Sequence, residues 1–479
     1  MWLRLVIFFY GVIVSSAMLG QTEGGMLSGE GRKYLHQIYH PQEEQKAGDL
    51  KASEYIYLTA YRHFIEFISF EQDSSATHFM EAYDQFSEFP AAQKNQINQL
   101  MLVNLSIQKG LIQWMKGEQL SGTFSFIKGY RLSNRNYYTN PSLLPEVRKL
   151  RSLFLILVDQ LPDYMMSGAN LFGLEGDRTD GFNLLQEYVE YCENKEGVYT
   201  EALVLYGYCL MKFSDGDKDQ MDQFIQKARL NESPLLTFVS ASVAIKKRDG
   251  ETARGLLDGL PPESLNRFPL LHYLKGKAGL NRLSPECEVP LTDFLKKYPG
   301  NSFKADALWR LACYYRLTDN QIKMEACLSR VEALHHLPTS NDKQAIGEVV
   351  DVRDKPLSLI RARLVFDDGQ VDQCIKILEH ENVIDLPLFY NAEWHYRLAR
   401  AKDVNRSYKE ALFHYKRVME LCEEDNRYIG PYAALYAAEI YHHSLRDSTQ
   451  TRYYLKKAGQ LNTGQYKSSI RWRISQFTE

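Results

Sequence analysis

The chain has 479 residues, and its 57 Lys and Arg nearly balance 60 Asp and Glu, for a formal net charge of −3. That balance argues against a broadly basic surface for nucleic acid, and we expect no nucleic-acid partner. Apolar residues make up 44% of the chain and prolines number only 16, which favours packed helices over a disordered or collagen-like chain.

The first twenty residues, MWLRLVIFFYGVIVSSAMLG, have the layout of a secretory signal. Arg4 precedes an apolar run, and the small residues Ser15 and Ala17 suit a signal peptidase. We therefore expect a signal peptide over residues 1–17, with Gly20 as the alternative cleavage point. The apolar run is about 15 residues long, shorter than the ~20 that span a bilayer, and no other run approaches that length. We expect no integral membrane segment after cleavage.

Residues 18–50 are polar and glycine-bearing, which predicts a flexible leader with a short helix near 33–39. The seven cysteines form no CxxC motif, and the first of them is Cys192, too far from the cleavage point to carry a lipid anchor. Most sit among apolar residues, so we expect buried thiols rather than a disulfide framework, with a single adventitious disulfide left open.

From about residue 51 onward, apolar residues recur at i, i+3, i+4 and i+7, and short loops rich in Gly, Asp, Asn or Pro separate the stretches. This pattern predicts an all-α protein built from helix pairs. The predicted pairs are 96–116 with 118–132, 199–213 with 217–230, 234–247 with 250–259, 268–280 with 286–298, 302–316 with 319–334, 355–366 with 369–379, 389–402 with 406–422, and 428–444 with 447–460. A last helix over 464–477 is predicted to cap the array, and 335–354 to form a long loop.

Small residues recur twelve positions apart within several of these pairs. Two antiparallel helices approach closely only where their side chains are small, so we expect each small residue of the first helix to meet its partner in the second. The pairs are Gly110 with Gly122, Ala241 with Ala253, Ala362 with Cys374, and Ala399 with Ala411.

The stretch from Tyr396 to Tyr415 resembles the tetratricopeptide repeat. That family places a small residue in the middle of its first helix, here Ala399, and another early in its second helix, here Ala411, with an aromatic residue four positions later. Lys402 stands where the family has a tyrosine. The resemblance implies a tetratricopeptide-type α-solenoid, a right-handed superhelix of antiparallel helix pairs.

Two further stretches carry the resemblance. Residues 294–302 (FLKKYPGNS), followed by 307–315 (ALWRLACYY), look like the join between repeats in tetratricopeptide proteins of the bacterial cell envelope. Residues 171–185 (LFGLEGDRTDGFNLL) are similar to a segment of secreted tetratricopeptide proteins of Bacteroidota-type bacteria, and more weakly to the eukaryotic tetratricopeptide repeat protein 39 family. The bacterial resemblance covers most of 90–479 and implies a periplasmic protein, but it brings no active site or defined ligand.

The expected organisation is a signal peptide (1–17), a flexible leader (18–50), an N-terminal helical region with atypical repeats (51–190) and a degenerate tetratricopeptide array with a C-terminal capping helix (191–479). The repeats are degenerate because equivalent positions, such as Ala399 and Ala438, lie 39 residues apart rather than the family's 34.

Motifs that carry chemistry are missing or weak. The sequence has no GxxxxGK[ST], HExxH, GxSxG or zinc-type CxxC motif, so we expect no enzyme, no cofactor and no metal. The run from Asp215 to Asp219 resembles the start of a calcium loop, but Gln220 and Gln226 stand where such a loop needs Gly and Glu. Asp177 and Arg178 are a loop candidate: either they contact a ligand, or they cap the next helix and pair locally.

In tetratricopeptide arrays the inner faces of the first helices line a concave groove that binds extended peptides. Counting from the small residues Ala312, Ala399 and Ala438 gives the positions on that face. The candidate partner-binding residues are Trp309, Arg316, Tyr396, Arg400, Glu439 and His442. Aromatic, Arg and His side chains would suit a peptide with apolar and acidic groups, whereas the alternative is that the aromatics only pack between repeats.

The sequence thus favours a non-enzymatic scaffold of the bacterial cell envelope that holds a protein or peptide partner of unknown identity. Two other hypotheses stay open. One is a carbohydrate-binding helical protein of outer-membrane nutrient uptake, a type that usually carries a lipid-modified cysteine. The other is an enzyme with a site in the loop 161–181, although no His or nucleophile lies in register there.

Overall fold

The computed structural model describes residues 26–40, 50–89, 95–133, 141–159, 173–174, 176–195, 197–214, 218–229, 233–422, 427–461 and 467–477. Within these ranges it contains twenty-five α-helices and no β-strand. Consecutive helices pack as antiparallel pairs, which confirms the prediction of an all-α protein made of helix pairs. The signal peptide predicted over 1–17 and the calcium-like positions 215–217 lie outside the described residues.

The chain divides into two compact units. Unit 1 comprises Met1–Ala278, Glu286–Leu311 and Cys327–Gly347, and unit 2 comprises Gly279–Pro285, Ala312–Ala326 and Glu348–Glu479.

The first twelve helices all belong to unit 1. They are α1 (Gly29–Tyr39), α2 (Ala52–Phe70), α3 (Asp73–Glu88), α4 (Gln96–Met115), α5 (Gln119–Ser133), α6 (Leu144–Asp159), α7 (Arg178–Cys192), α8 (Val198–Phe213), α9 (Lys218–Ala228), α10 (Pro234–Lys247), α11 (Gly250–Asp258) and α12 (Pro262–Arg267).

The next five helices follow the same order of pairs. They are α13 (Leu270–Asn281), α14 (Glu288–Lys297), α15 (Lys304–Leu317), α16 (Gln321–Glu332) and α17 (Ser340–Gly347). The last eight belong to unit 2. They are α18 (Val349–Asp354), α19 (Leu357–Asp367), α20 (Val371–Glu379), α21 (Leu388–Val404), α22 (Tyr408–Leu421), α23 (Ile429–Glu439), α24 (Ser448–Leu461) and α25 (Lys467–Ser475).

Small residues bring paired helices into close contact, as their spacing predicts. A Cβ atom placed on Gly110 of α4 would lie 2.9 Å from the carbonyl oxygen of Gly122 on α5, and one on Gly122 would lie 2.8 Å from the carbonyl oxygen of Gly110. In unit 2, Ala399 and Ala411 are fully buried in one hydrophobic cluster. The α4–α5 backbones therefore touch at a point where no side chain fits.

The short helix that the sequence predicts near 33–39, within the expected leader, is present as α1, which is packed and begins at Gly29. Ser28 caps this helix by accepting a hydrogen bond from the Gly31 amide (3.0 Å), and the Ser28 amide donates to Glu54 of α2 (2.6 Å). Tyr34 and Leu35 are buried in the core of unit 1. The apolar face of this helix is short and lies among glycines and polar residues, which give no clear periodicity. The predicted helix therefore starts at residue 33, four residues after the observed start at Gly29.

The long loop predicted over 335–354 is also wrong, since it contains α17 and α18. Asp342 in α17 is fully buried and accepts hydrogen bonds from the amides of Phe303 (2.9 Å), Ala305 (3.0 Å) and Asp306 (3.2 Å). Thr339 Oγ1 also donates to it (2.6 Å). Asp342 thus satisfies the unpaired amides at the start of α15, which a distant residue caps instead of a local one.

Three other features of the described chain bear on the expectations. All seven cysteines are buried thiols, as expected. The predicted helix over 428–444 divides into α23 and a π-helical turn at Ile440–Ser444. None of the helices in the described ranges is both long and apolar enough to cross a membrane.

Gly110→Ala tests the contact between α4 and α5. The added methyl group would press on the Gly122 carbonyl, so we expect the free energy of unfolding to fall by about 1–3 kcal/mol, measured by urea denaturation. Gly255→Ala in α11 is the matched control: a Cβ there meets nothing within 4 Å, so better helix propensity should raise stability by about 0.5–1 kcal/mol. A Gly110→Ala protein as stable as the wild type would contradict the close approach.

Candidate functional site

Unit 2 carries a group of tyrosine and arginine side chains on the first helices of consecutive pairs. We call it the tyrosine–arginine surface. Its members are Arg363 on α19, Tyr396, Arg397 and Arg400 on α21, Tyr428, Tyr432, Tyr436 and Glu439 at and along α23, and Arg473 on α25. All of them are partly exposed.

The tyrosines form a continuous series of ring contacts. The ring centroids of Tyr396 and Tyr428 are 6.2 Å apart, those of Tyr428 and Tyr432 are 5.9 Å apart, and those of Tyr432 and Tyr436 are again 5.9 Å apart. Tyr436 also stacks on the buried Tyr415 of α22, at 6.0 Å. Tyrosine rings separated by these distances attract each other through their edges and faces, so the series links α21 to α23.

Two of the guanidinium groups, those of Arg400 and Arg473, lie on these rings. Arg400 lies 3.6 Å from the centroid of Tyr436, and Arg473 lies 5.1 Å and 5.4 Å from the centroids of Tyr436 and Tyr432. Such cation–π contacts stabilise the arrangement most when water is partly excluded. The side chain of Arg400 retains only 13% of its exposure.

Each arginine is also paired with a carboxylate of the same chain. Arg400 donates to Asp403 (3.0 Å), and so does the Tyr415 hydroxyl (3.0 Å). The other pairs are Arg363 with Glu348, Arg397 with Glu393, and Arg473 with Glu439. The pairs therefore fix the arginines in place.

Glu393 is the most buried carboxylate of this set. It accepts from Lys355 (3.1 Å) as well as from Arg397. Burial alone would raise the pKa of Glu393, but Arg397 and Lys355 outweigh burial and hold that pKa below its usual range. Burial raises the pKa of Tyr428 to about 12 and raises that of Tyr396 well above its ordinary value. The surface therefore presents neutral hydroxyls and fixed ion pairs at physiological pH.

The predicted groove residues fall into two groups. Tyr396, Arg400 and Glu439 belong to the tyrosine–arginine surface, and His442 lies in the π-helical turn after α23, exposed, with its ring 5.3 Å from that of Phe477. The tyrosine contacts between α21 and α23 are those of packing between consecutive first helices, the alternative that the sequence left open.

Trp309 and Arg316 do not join that network. Trp309 belongs to unit 1 and is buried, with the Arg310 guanidinium 5.7 Å from its ring. Arg316, in unit 2, is partly exposed, and its buried Nε atom has no hydrogen-bond partner. Sequence counting from Ala312 therefore identified one arginine whose buried Nε lacks a hydrogen-bond partner and one tryptophan of the core.

Asp177 and Arg178 make the contacts of a helix start. The Asp177 carboxylate accepts from the Asp180 amide (2.9 Å) and so caps α7. Arg178 donates to the carbonyl oxygen of Phe213 (3.1 Å) and lies 3.7 Å from Asp159. Of the loop 161–181 that they were expected to serve, residues 161–172 and 175 lie outside the described residues.

The described residues contain no group of three His, Cys, Asp or Glu that could hold a metal ion. One pair of histidines, which the sequence analysis did not single out, is nonetheless close. The Nδ1 atoms of His395 on α21 and His414 on α22 are 2.8 Å apart. They are 19 residues apart in the chain, so only the pairing of α21 with α22 brings them together.

The environment of this pair disfavours protonation. Burial, followed by the neighbouring His414, lowers the pKa of His395 to about 4. Burial and the nearby Lys402 lower the pKa of His414 to about 4 as well, against a smaller opposing effect of Glu410. The 2.8 Å contact needs one nitrogen without a proton, so both rings cannot be charged while it persists.

The amino-acid sequence matches no protein-family model, and no curated protein matches it at a significant level.

The histidine pair predicts acid sensitivity. Both pKa values are below the ordinary 6.5, so the unfolded chain takes up protons first and stability is lost as the pH falls from about 6.5 towards 4. The urea midpoint of the wild type should therefore fall over this range, and His414→Gln, which removes one titrating ring, should fall less. Parallel declines of the two proteins between pH 6.5 and 5 would contradict this assignment.

Proposed function

We propose that the protein is a non-enzymatic scaffold of the bacterial cell envelope that binds a protein or peptide partner on its tyrosine–arginine surface. The observation that carries the proposal is the continuous Tyr–Arg series on the first helices of consecutive pairs. Tyr and Arg are residue types enriched where proteins bind one another. Tyr offers a large contact area on few rotatable bonds, and Arg offers several donors on one planar group.

The arginines of this surface are held in place before binding, which lowers the conformational entropy that binding would cost. Arg363, Arg397 and Arg400 are held by carboxylates and rings before any partner arrives, and their side chains retain 13–19% exposure. A partner that contacts these ordered side chains has little side-chain freedom left to freeze. Since each arginine already faces a carboxylate, we expect the acceptors to be mainly backbone carbonyls of an extended segment rather than a run of acidic side chains.

We also propose that the helix pairs form a tetratricopeptide-type α-solenoid and that the protein is periplasmic. Repeated helix pairs with small residues at matched positions support a tetratricopeptide-type α-solenoid, in which the first helices line one concave face. The N-terminal signal layout and the resemblance to secreted proteins of Bacteroidota-type bacteria support a periplasmic location.

The carbohydrate alternative gains no support from the cavity in unit 2. This open cavity of about 590 Å³ is lined by Gly369, Gln370, Val371, Asp372, Gln373, Lys376, Val404 and Asn405. Sugar sites use aromatic rings as flat platforms, and none of these residues is aromatic.

The double substitution Arg400→Gln with Asp403→Asn tests the scaffold function. It removes a cation and its carboxylate together, so no buried charge is left unpaired. The matched control is Arg417→Gln with Glu420→Gln, which removes an exposed pair of the same i, i+3 spacing on α22. Crosslinking mass spectrometry in the native cell should recover a partner with the wild type and the control, and at least about tenfold less of it with the first variant.

Equal recovery by all three proteins would place the partner elsewhere on the chain and overturn the proposal. Binding of the purified wild type to a glycan array, with no protein crosslinks, would instead favour the carbohydrate alternative.

A further inference from the structure

Unit 1 contains a cluster of charged side chains in its interior, formed by Glu146 and Lys149 on α6 and Glu201 on α8. Glu146 retains 3% of its side-chain exposure, and Lys149 and Glu201 retain none. Lys149 Nζ lies 2.7 Å from Glu146 Oε2 and 3.9 Å from Glu201 Oε1. One buried cation therefore faces two buried carboxylates, so the cluster would carry an excess negative charge if all three groups were ionised.

The two carboxylates differ in the contacts that could stabilise a charge. The Tyr188 hydroxyl of α7 donates to Glu146 Oε1 (3.0 Å), in addition to the close contact of Glu146 with Lys149. Neither oxygen of Glu201 has a hydrogen-bond partner, although both oxygens are buried. A buried carboxylate is stable as an anion only when it is paired and hydrogen-bonded. Glu201 has only the longer contact with a lysine that Glu146 already engages.

The other groups around the cluster do not balance the charge of Glu201. Burial raises the pKa of Cys192 to about 12 and raises that of Tyr188 well above its ordinary value, so both α7 side chains are neutral. The helices α1, α9 and α10 also pack on α8, and within the described ranges Glu201 forms no ion pair with them. The start of α8 carries a partial positive charge, but no backbone amide donates to the Glu201 carboxylate.

We propose that Glu201 holds a proton in the folded protein at neutral pH, so that the cluster of Glu146, Lys149 and Glu201 is electrically neutral. A proton needs no cavity, and buried carboxyl groups without a partner respond to burial by taking one up. The ion pair of Lys149 with Glu146 is then complete, and no uncompensated charge remains between α6 and α8. This inference concerns unit 1 and does not depend on the proposed function.

Proton uptake by Glu201 makes the stability of the fold depend on pH. In the unfolded chain a glutamate loses its proton at about pH 4.3, whereas Glu201 keeps its proton in the folded chain. Above about pH 5 the folded state therefore binds one more proton than the unfolded state, and its stability falls as the pH rises. This effect is opposite in sign to that of His395 and His414, and Glu201→Gln separates the two because this variant keeps both histidines.

Infrared spectroscopy at pH 7 tests the proposal directly, because a protonated carboxyl group and a carboxylate absorb at different frequencies. The wild type should show the carbonyl band of a buried carboxyl group, and Glu201→Gln should lose it. The difference spectrum cancels any contribution from Asp342, whose pKa burial raises to about 6. Glu187→Gln, which removes an exposed carboxylate paired with Arg148 of α6, is the matched control and should lose only carboxylate absorption.

The variant Glu146→Gln tests the cause of the protonation. It removes the carboxylate nearest to Lys149, so the lysine can pair with Glu201, and the carboxyl band should disappear although Glu201 is still present. Loss of carboxylate absorption rather than the carboxyl band in Glu201→Gln would overturn the proposal, because Glu201 would then be ionised. A carboxyl band that persists in Glu146→Gln would also overturn it, since the excess of carboxylates would not be the cause.

Urea denaturation gives an independent measurement. From pH 5 to pH 7 the folding equilibrium constant of the wild type, divided by that of Glu201→Gln, should fall by up to about tenfold for each pH unit, the dependence expected for one proton. The same ratio for Glu187→Gln should stay nearly constant. A ratio for Glu201→Gln that does not change, or that rises with pH, is the result that an ionised Glu201 would give and is incompatible with the proposal.

Discussion

Contact between backbones at small residues is the constraint on which the helix pairs depend. Where Gly110 and Gly122 face each other, each added Cβ would lie within 3 Å of the opposite carbonyl oxygen, so the sequence must keep both positions without a side chain. In unit 2, Ala399 and Ala411 are both fully buried in one cluster formed by α21 to α24. Close packing of this kind gains dispersion contacts along the whole pair, and large residues such as Tyr415 then fill the space one turn away.

The same pairing determines which side chains the first helices present. Because α21 and α23 pack side by side, Tyr396 meets Tyr428 and Arg400 meets Tyr436, with distances set by the backbones. Asp403 lies three residues after Arg400 on the same helix, and its carboxylate neutralises the guanidinium. A surface made this way presents tyrosine and arginine side chains in fixed positions, which lowers the entropic cost of the binding that we propose.

Local patterns predicted most of the helices, and long-range contacts account for what they missed. The apolar periodicity located α4, α5, α10 and α11 to within one residue, because their apolar residues recur at helical spacing and turn residues mark their ends. It missed α17, whose fixed position depends on Asp342 and the amides of 303–306, more than thirty residues away. The candidate surface was partly predictable: Tyr396 and Arg400 follow from the repeat register, but Arg473 and the histidine pair depend on neighbouring helices that no local pattern specifies.

The cap that Asp342 provides has a consequence for synthesis. A ribosome delivers α15 well before it delivers residue 342, so the first turn of α15 emerges with amides that water alone can satisfy. The helix start becomes complete only when α17 arrives and its carboxylate is buried against it. In this part of unit 1, a later segment of the chain therefore completes the start of an earlier helix. In a nascent chain that ends between α15 and α17, we expect the first turn of α15 to be frayed.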